Sequence, residues 1–169
     1  VELEMKKEGT DVLATFQKAK DTFEEINHVH TAEYPKTLSN MARVHISLQQ
    51  FQEAKGLLET SKIMFEQILG SEHPNYMGCL TVLANVHATL GETEEVTKIL
   101  KQVCKIRAKT HGDDHEEVAF GYFDLGKFLA QERKLEEAKE YFVKSLDILK
   151  NKESQEELRK VIGEVLEKI

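Results

Sequence analysis

The chain has 169 residues and a formal net charge of −7, with 31% charged residues, no tryptophan and only two prolines. This composition is typical of exposed amphipathic helices, and the length suits one ordinary domain or a short array of stacked repeats. The acidic balance argues against bulk attraction to nucleic acid or to anionic lipid. No stretch approaches the roughly 18 uninterrupted apolar residues that a membrane span needs, so we expect neither a nucleic-acid partner nor a membrane-spanning segment.

The cysteines and the first residues bear on where the protein resides. Cys79 and Cys104 are the only cysteines, which does not indicate a disulfide framework. The first residues lack the apolar core of a signal peptide, and the sequence has no Asn-x-Ser/Thr acceptor for glycosylation. We therefore expect a reducing, cytoplasmic location with both thiols buried. The start at Val1 leads us to expect a fragment of a longer chain.

The predicted elements, taken in chain order, are all helices. Residues 10–28 are predicted to be the second helix of an earlier repeat, whose first helix is cut short at residues 1–8. Its inward side chains are expected to be Val12, Phe16, Ala19, Phe23 and Ile26. Three helix pairs are predicted next, at about 33–48 with 51–69, 74–90 with 92–109, and 115–131 with 135–150.

A last helix is predicted at residues 154–169, with charge on one face and apolar side chains on the other. The apolar positions, at helical spacing, are Leu158, Val161, Ile162, Val165, Leu166 and Ile169. Because a solenoid of repeats must cover the apolar face at its end, we interpret this helix as a C-terminal cap.

Steps of three and four residues between apolar positions define these helices. In the first full pair they give the face Phe51, Ala54, Leu57, Leu58, Ser61, Phe65 and Ile68, and in the third pair Leu135, Ala138, Tyr141, Phe142, Ser145 and Leu149. The helices end where turn residues cluster, at 70–74, 90–91 and 111–114. Pro74 is predicted at the first position of its helix, where a missing N–H costs nothing. Pro35 falls within the first turn of its own helix.

The helix pairs repeat every 42 residues. Met41, Leu83 and Leu125 are separated by this interval, and each is followed by a small residue. The small residues are Ala42, Ala84 and Gly126, which are followed twelve positions later by Ala54, Val96 and Ala138, and four further on by Leu58, Leu100 and Phe142. Matched copies at a fixed period indicate a repeat array. We predict one domain over 1–169, with a partial repeat at 1–30, repeats at about 31–72, 73–114 and 115–152, and a capping helix at 153–169.

The small residues at these offsets resemble the tetratricopeptide repeat family, whose unit is two antiparallel helices that cross at small side chains. A repeat of 42 residues is longer than the family's usual 34. Together with Gly70-Ser-Glu-His-Pro74, it is similar to the longer variant found in kinesin light chains. HEAT and armadillo arrays have comparable periods, but Gly91 and the small residues favour the tetratricopeptide interpretation. The resemblance implies an all-α, right-handed superhelical solenoid of antiparallel helix pairs with a C-terminal capping helix.

The sequence lacks the common motifs of catalytic and metal sites. It has no Gly-rich phosphate loop, no Cys-x-x-Cys pair, no Gly-x-Ser-x-Gly and no His-Glu-x-x-His. The pairs Glu94-Glu95 and Glu136-Glu137 are better explained as helix starts that the helix dipole favours. His111 and His115 have the composition of metal ligands, but a turn that caps the next helix is the stronger interpretation. We expect no enzymatic activity, no metal and no cofactor, and packing roles for His45 and His87.

In tetratricopeptide arrays the first helix of each pair lines a concave groove, where many ligands of the family bind. The resemblance implies groove positions on three helices: Lys36, Ser39, Asn40, Arg43 and Ser47; Gly78, Thr81, Asn85 and Thr89; and Phe120, Phe123, Lys127 and Gln131. Arg43, Asn85 and Lys127 recur once per repeat, so stacking would align them as donors for carbonyls and carboxylates. Phe120 and Phe123 would take an apolar anchor of the ligand, or else pack in the core.

These features predict a non-catalytic scaffold or adaptor that binds a partner peptide or helix in its concave groove. The expected ligand is an acidic segment or C-terminal tail with a large apolar side chain. The alternative to a ligand-binding role for Arg43 and Lys127 is that they are ordinary solvated charges. A cytoskeletal association is implied only by the resemblance to kinesin light chains. The alternative function is a structural solenoid segment that packs against flanking regions of its own chain.

Overall fold

The computed structural model describes the backbone of residues 2–168 and the side chains of 7–152 and 154–168. Within this part of the chain, the regular structure is entirely helical. The α-helices are α1 (Glu2–Glu25), α2 (Glu33–Ser47), α3 (Phe51–Leu69), α4 (Pro74–Thr89), α5 (Thr93–His111), α6 (Glu116–Gln131), α7 (Leu135–Leu149) and α8 (Glu156–Leu166), with a short 3-10 helix at Glu153–Gln155 before α8. None of the described helices is long and apolar enough to cross a membrane.

The chain forms two compact units, Val1–Glu92 (unit 1) and Thr93–Ile169 (unit 2). Inside each unit, helices that follow one another in sequence pack against one another, α1 to α4 in unit 1 and α5 to α8 in unit 2. The prediction of an all-α fold built from consecutive helices, with a C-terminal helix at its end, is confirmed. The organisation as one domain, with its repeat boundaries, stays a prediction.

Most helix limits agree with the predicted ones to within two or three residues, because strong local signals mark them. α3 spans the predicted range, α4 begins at Pro74, and Pro35 is the third residue of α2. α5 runs two residues further than predicted, to His111. It ends where Gly112 adopts a φ of 93°, a left-handed conformation that glycine tolerates and that terminates a helix.

The prediction for the N-terminal residues was partly wrong. α1 is one continuous helix, with no break between a first and a second helix near Gly9. A single interior glycine costs a helix only about 1 kcal/mol, and Gly9 lies close to the Leu48 side chain. Val12 and Ile26 are 45% and 54% exposed, against expectation. Ile26 lies beyond the end of α1, so the helical period no longer governs its direction.

The core of unit 1 includes a cluster of Tyr34, Leu38 and Met41, all on α2. From α1 it is covered by Leu13, Phe16 and Phe23, so the predicted inward positions Phe16 and Phe23 are confirmed. The Tyr34 hydroxyl donates a hydrogen bond of 2.6 Å to the Glu24 carboxylate. Burial and this bond raise the pKa of Tyr34 to about 12. The phenol therefore stays neutral, and its hydrogen bond joins α2 to α1.

The core of unit 2 joins α5, α6, α7 and α8. Its buried members are Cys104, Ala119, Leu125, Leu129, Ala138, Phe142, Leu149 and Ile162. Ile162 of α8 is completely buried, and its neighbours Leu158, Val165 and Leu166 pack against the cluster as the predicted cap requires. Val161 is 43% exposed, which makes its predicted inward position wrong, and Ile169 lies outside the described residues.

Small side chains occur where helices approach closely, as predicted. Ala42, Ala54 and Ala138 are completely buried. At Gly126 an added Cβ would lie 2.9 Å from two ring atoms of Phe142. Only glycine therefore lets α6 sit this close to the Phe142 ring of α7.

The turn inside each helix pair has the same backbone geometry. Gln49, Gly91 and Arg133, separated by 42 positions, have φ values of 60°, 75° and 58°. The residue after each one donates its N–H to a carbonyl five residues earlier, at His45, His87 and Leu129 respectively. This left-handed helix ending satisfies carbonyls that the helix leaves free. Only the second turn has glycine, for which the left-handed region is unstrained.

Candidate functional site

An open cavity of about 220 Å³ lies between α2, α3 and the first half of α4 in unit 1. We call it the α2–α4 groove, and its lining residues are Lys36, Ser39, Asn40, Arg43, Leu58, Phe65, Pro74, Asn75, Gly78, Cys79 and Val82. It brings together five of the residues that the resemblance assigned to a groove: Lys36, Ser39, Asn40, Arg43 and Gly78.

Helical geometry explains why four of them line one wall. Residues 36, 39, 40 and 43 recur at steps of three and one, so they share one face of α2. The opposite wall is the start of α4, with Pro74, Asn75 and Gly78. At Gly78 nothing lies within 4 Å of the position that a Cβ would take, so this wall leaves open space.

The floor of the groove is apolar, with its few polar atoms already paired. Leu58 and Phe65 of α3 are almost completely buried. The Ser61 hydroxyl donates to the Pro35 carbonyl at 2.7 Å, so Ser39, whose hydroxyl lies 2.7 Å from that of Ser61, must be the donor in the second bond. Both serine protons are thus used within the protein, and the Ser39 hydroxyl oxygen can only accept a hydrogen bond from a ligand.

Cys79 at the floor is a structural thiol. Its Sγ donates to the Leu58 carbonyl at 3.4 Å, and only 4% of the residue is exposed. Burial raises the pKa of Cys79 above its ordinary value. Because the thiolate is the reactive form, this thiol is not suited to nucleophilic chemistry at neutral pH.

The two cations on the α2 wall differ in how they are held. The Lys36 ammonium lies 3.5 Å from the Glu33 carboxylate, but both side chains are more than half exposed, and such surface pairs contribute little. Among the groups that the structure describes, none forms a hydrogen bond or ion pair with Arg43. The Arg43 guanidinium, exposed at the rim, is therefore a free set of donors.

Two other predicted positions of unit 1, Thr81 and Asn85, are exposed but lie outside the lining of the groove. The Thr81 hydroxyl donates to the Met77 carbonyl of its own helix at 3.0 Å. Thr89 does the same to Asn85, and Ser47 to Val44. These hydroxyls are satisfied locally, which is common for serine and threonine inside helices.

In unit 2 the predicted residues Phe120, Phe123 and Lys127 lie on α6. Phe123 is half-buried, and its ring centroid lies 5.9 Å from that of the core residue Phe142. The Lys127 ammonium lies 5.2 Å from the Phe123 centroid, within cation–π range. Phe123 thus packs on the core and has the Lys127 ammonium over its ring, while Phe120 is half-buried and Gln131 is exposed.

A larger cavity of about 530 Å³ in unit 2 was not predicted. It lies between α5, α6 and α7 and is lined by Lys101, Cys104, Lys105, Ala108, Lys109, Asp113, Tyr122, Leu125, Tyr141 and Lys144. We call it the lysine–tyrosine cavity. The sequence signal that marks it is the four-residue spacing of Lys101, Lys105 and Lys109 on one face of α5.

The histidines have structural roles. Nδ1 of His115 accepts the Glu117 N–H at 3.2 Å and caps α6, as predicted, and its ring stacks on His111 at 4.8 Å. Nδ1 of His73 caps α4 in the same way through Asn75. His87 is buried and contacts Glu92, in keeping with its predicted packing role. Among the described residues, no three His, Cys, Asp or Glu side chains are grouped as a metal site would require.

Two family models described as tetratricopeptide repeat match the sequence. One matches residues 33–109 and the other residues 121–152, so together they match well over half of the chain. No curated protein matches the sequence significantly.

Solved structures share the fold at low sequence identity. Nearly identical TPR-like repeats from Podosopora anserina, assigned to a kinesin light chain, superpose with a TM-score of 0.69 and 22% identity, over 96% of this chain and 82% of that one. BtubC (BKLC) from P. vanneervenii gives a TM-score of 0.60 and 15% identity, over 92% of this chain and 59% of that one. The type III secretion translocator chaperone SycD of Yersinia enterocolitica gives 0.55 and 14%, over 86% and 96%. At these identities the likeness concerns the fold.

Proposed function

Because this chain belongs to the tetratricopeptide repeat family, whose members are typically protein-interaction scaffolds, we propose that it is a non-catalytic scaffold or adaptor. Its α2–α4 groove binds an extended segment of a partner protein. The observation that carries the proposal is the convergence of Lys36, Asn40 and Arg43 on one open cavity whose opposite wall, at Gly78, is unobstructed.

The groove's chemistry supports an extended acidic segment. Asn40 of α2 and Asn75 of α4 both line the cavity, and the amide of each offers donors and an acceptor to a peptide backbone. Arg43 supplies a planar fork of donors that suits a carboxylate. Lys36 and Arg43 form a local pair of cations at the rim of a protein whose net charge is −7. This pair favours a ligand of negative charge.

The volume of the groove limits the size of the ligand group that it can hold. Its 220 Å³ correspond to roughly seven water molecules at about 30 Å³ each. This is room for one large side chain above Leu58 and Val82, with the peptide backbone across the rim. We therefore place a single apolar anchor of the ligand there.

The remaining predicted positions keep a secondary place in the proposal. Thr81 and Asn85 extend the exposed surface of α4 in unit 1. In unit 2, Lys127 over the ring of Phe123, with Phe120 one turn earlier on α6, is a separate contact for an acidic segment with an aromatic side chain. We further propose a cytoplasmic location, which the two free, buried cysteines support, and a cytoskeletal setting, which only the likeness to kinesin light chain repeats supports.

A peptide-array screen at low and at physiological salt tests this function. Wild-type protein should select acidic peptides with one apolar residue, and physiological salt should weaken their binding. Arg43→Glu should lose these peptides, whereas Lys18→Glu, an exposed charge reversal on α1, should keep them. Identical selections by wild type and Arg43→Glu would place the ligand elsewhere.

One observation favours the alternative of a structural segment. Val12 on α1 and Ile26 just after it leave apolar surface exposed. Other parts of a longer chain could cover this surface. If the protein selects no peptide, and Val12→Ser/Ile26→Ser improves its solubility, the structural role is the better account.

A further inference from the structure

The lysine–tyrosine cavity of unit 2 has a basic rim. Lys101, Lys105 and Lys109 are one turn apart on α5, so their Cα atoms span about 12 Å along the helix at 1.5 Å per residue. Lys144 of α7 lines the same cavity. Asp113 is the only acidic residue in the described lining, so the rim carries an excess of positive charge in an acidic protein.

The floor of this cavity is aromatic. The ring centroids of Tyr122 and Tyr141 lie 5.9 Å apart, and both rings are half-buried beside Leu125. The Lys144 and Lys101 ammonium groups lie 4.8 Å and 5.9 Å from the Tyr141 centroid. Cation–π attraction therefore holds two of the four rim cations over the aromatic floor.

The tyrosine hydroxyls are available to a ligand. Within the described part of the chain, neither Tyr122 nor Tyr141 has a hydrogen-bond partner for its hydroxyl. Burial, followed by the charges of Cys104 and Asp113, raises the pKa of Tyr122. The phenol is therefore neutral at physiological pH and keeps its proton for donation.

We propose that the lysine–tyrosine cavity is a second docking site, independent of the α2–α4 groove, for an acidic peptide segment of a partner protein. One large apolar or aromatic side chain packs on the floor that the two tyrosine rings form, and flanking carboxylates meet the lysines of the rim. The volume of 530 Å³ lies within the range of about 300–1,000 Å³ that ligand pockets occupy.

The arrangement favours a peptide over other anions. A single phosphate would reach one or two of the lysines, whereas the α5 row extends over about two helical turns. An extended polyanion, such as nucleic acid or an anionic membrane, carries many more charges than a short peptide, so the net charge of −7 of the protein opposes it more strongly. Carboxylates spaced along a peptide match the row, and an apolar residue among them matches the floor.

Fluorescence anisotropy with the full chain tests the proposal. The probe is a short fluorescein-labelled peptide with one phenylalanine flanked by glutamates on both sides. We expect Lys105→Glu and Lys144→Glu to weaken binding about tenfold each. Lys160→Glu, an exposed reversal on α8 of the same unit, should change it less than about twofold. Asp113→Asn should strengthen it about twofold, because a like charge leaves the rim.

The floor is tested with two milder changes. Tyr122→Phe removes only the hydroxyl and should weaken binding about threefold, with circular dichroism unchanged. A probe in which alanine replaces phenylalanine should bind about tenfold more weakly.

Several results would overturn the proposal. They are no binding by folded wild-type protein, equal loss in Lys160→Glu, equal affinity for the alanine probe, and displacement of the peptide by millimolar inorganic phosphate. Loss of the probe in Arg43→Glu, with Lys105→Glu unaffected, would assign the peptide to the α2–α4 groove instead. That last outcome separates a failure here from a failure of the proposed function.

Discussion

The Lys55 ammonium of α3 lies 2.7 Å from one carboxylate oxygen of Glu92, just beyond the end of α4. The other oxygen of Glu92 lies 2.5 Å from Nδ1 of His87. One carboxylate thus ties α3 to the turn that follows α4. One repeat earlier, His45 contacts the Gln50 side chain at 2.8 Å, so the same turn is closed there by a neutral partner.

The ionised Glu92 carboxylate should make the folding stability of the protein fall at acidic pH. Hydrogen bonds from Lys55, and then from His87, hold the pKa of Glu92 below its ordinary value. A carboxyl whose pKa is lower in the folded state stabilises the fold above its unfolded pKa, and this contribution is lost as the pH falls through the folded pKa. Melting temperatures from neutral to acidic pH should fall less steeply in Glu92→Gln than in wild type. Glu59→Gln, on the exposed side of α3, should follow the wild-type curve; equal slopes for Glu92→Gln would contradict this role.

Gly126→Ala should destabilise unit 2. The new methyl group would lie 2.9 Å from the Phe142 ring, and overpacking of this kind costs about 1–3 kcal/mol. Gly56→Ala is the matched control, because nothing lies within 4 Å of its Cβ position in α3. It should stabilise the protein by about 0.5–1 kcal/mol. Urea unfolding measures both, and a Gly126→Ala variant at least as stable as wild type would show that the α6–α7 approach is not this close.

Arg133→Gly should stabilise the protein although it removes a side chain. Arg133 is exposed and has a φ of 58°, a conformation that costs a side chain about 1–2 kcal/mol. Glycine removes that strain but gains freedom in the unfolded chain, which leaves a net gain of up to about 1 kcal/mol. Gly91→Ala, at a φ of 75°, is the reverse change and should lower the melting temperature.

Both cysteines should resist alkylation in the folded protein. Burial raises the pKa of Cys104 to about 11 and raises that of Cys79 as well. At pH 8 each site is almost entirely thiol, and the thiol is the unreactive form. Iodoacetamide should therefore modify both cysteines slowly in buffer and rapidly in urea, as followed by mass spectrometry. Rapid labelling of either cysteine in buffer would mean that its helix opens readily.

The helices were predictable because each repeat marks its own limits. Pro74, Gly91 and Gly112 act locally, through a fixed φ or through tolerance of the left-handed region, so no tertiary knowledge was needed. The face of α1 was less predictable. Apolar residues continue through Val12 and Ile26, and only packing on α2 selects Leu13, Phe16 and Phe23 as the inward set.

The α2–α4 groove was partly predictable for the same reason. Lys36, Asn40 and Arg43 share a face because they share one helix, whose period the sequence displays. Thr81 and Asn85 lie outside the lining of the groove, because the packing of the helices, and not the helical period, decides which residues of α4 line it.

The lysine–tyrosine cavity could not be predicted because its residues follow common patterns in the sequence. The lysines of α5 have the pattern of a solvated helix face. Tyr122 and Tyr141 come from different helices, and only the packing of α6 on α7 brings their rings within 5.9 Å.

The central claim, that the α2–α4 groove holds a partner segment, is tested most directly by an NMR titration. Labelled protein would receive the acidic peptide that the array ranks first. We predict that the largest amide shifts occur at Lys36, Asn40, Arg43, Asn75 and Gly78, which line the groove. The claim would be contradicted if, at saturating peptide, other amide resonances shifted and these five did not.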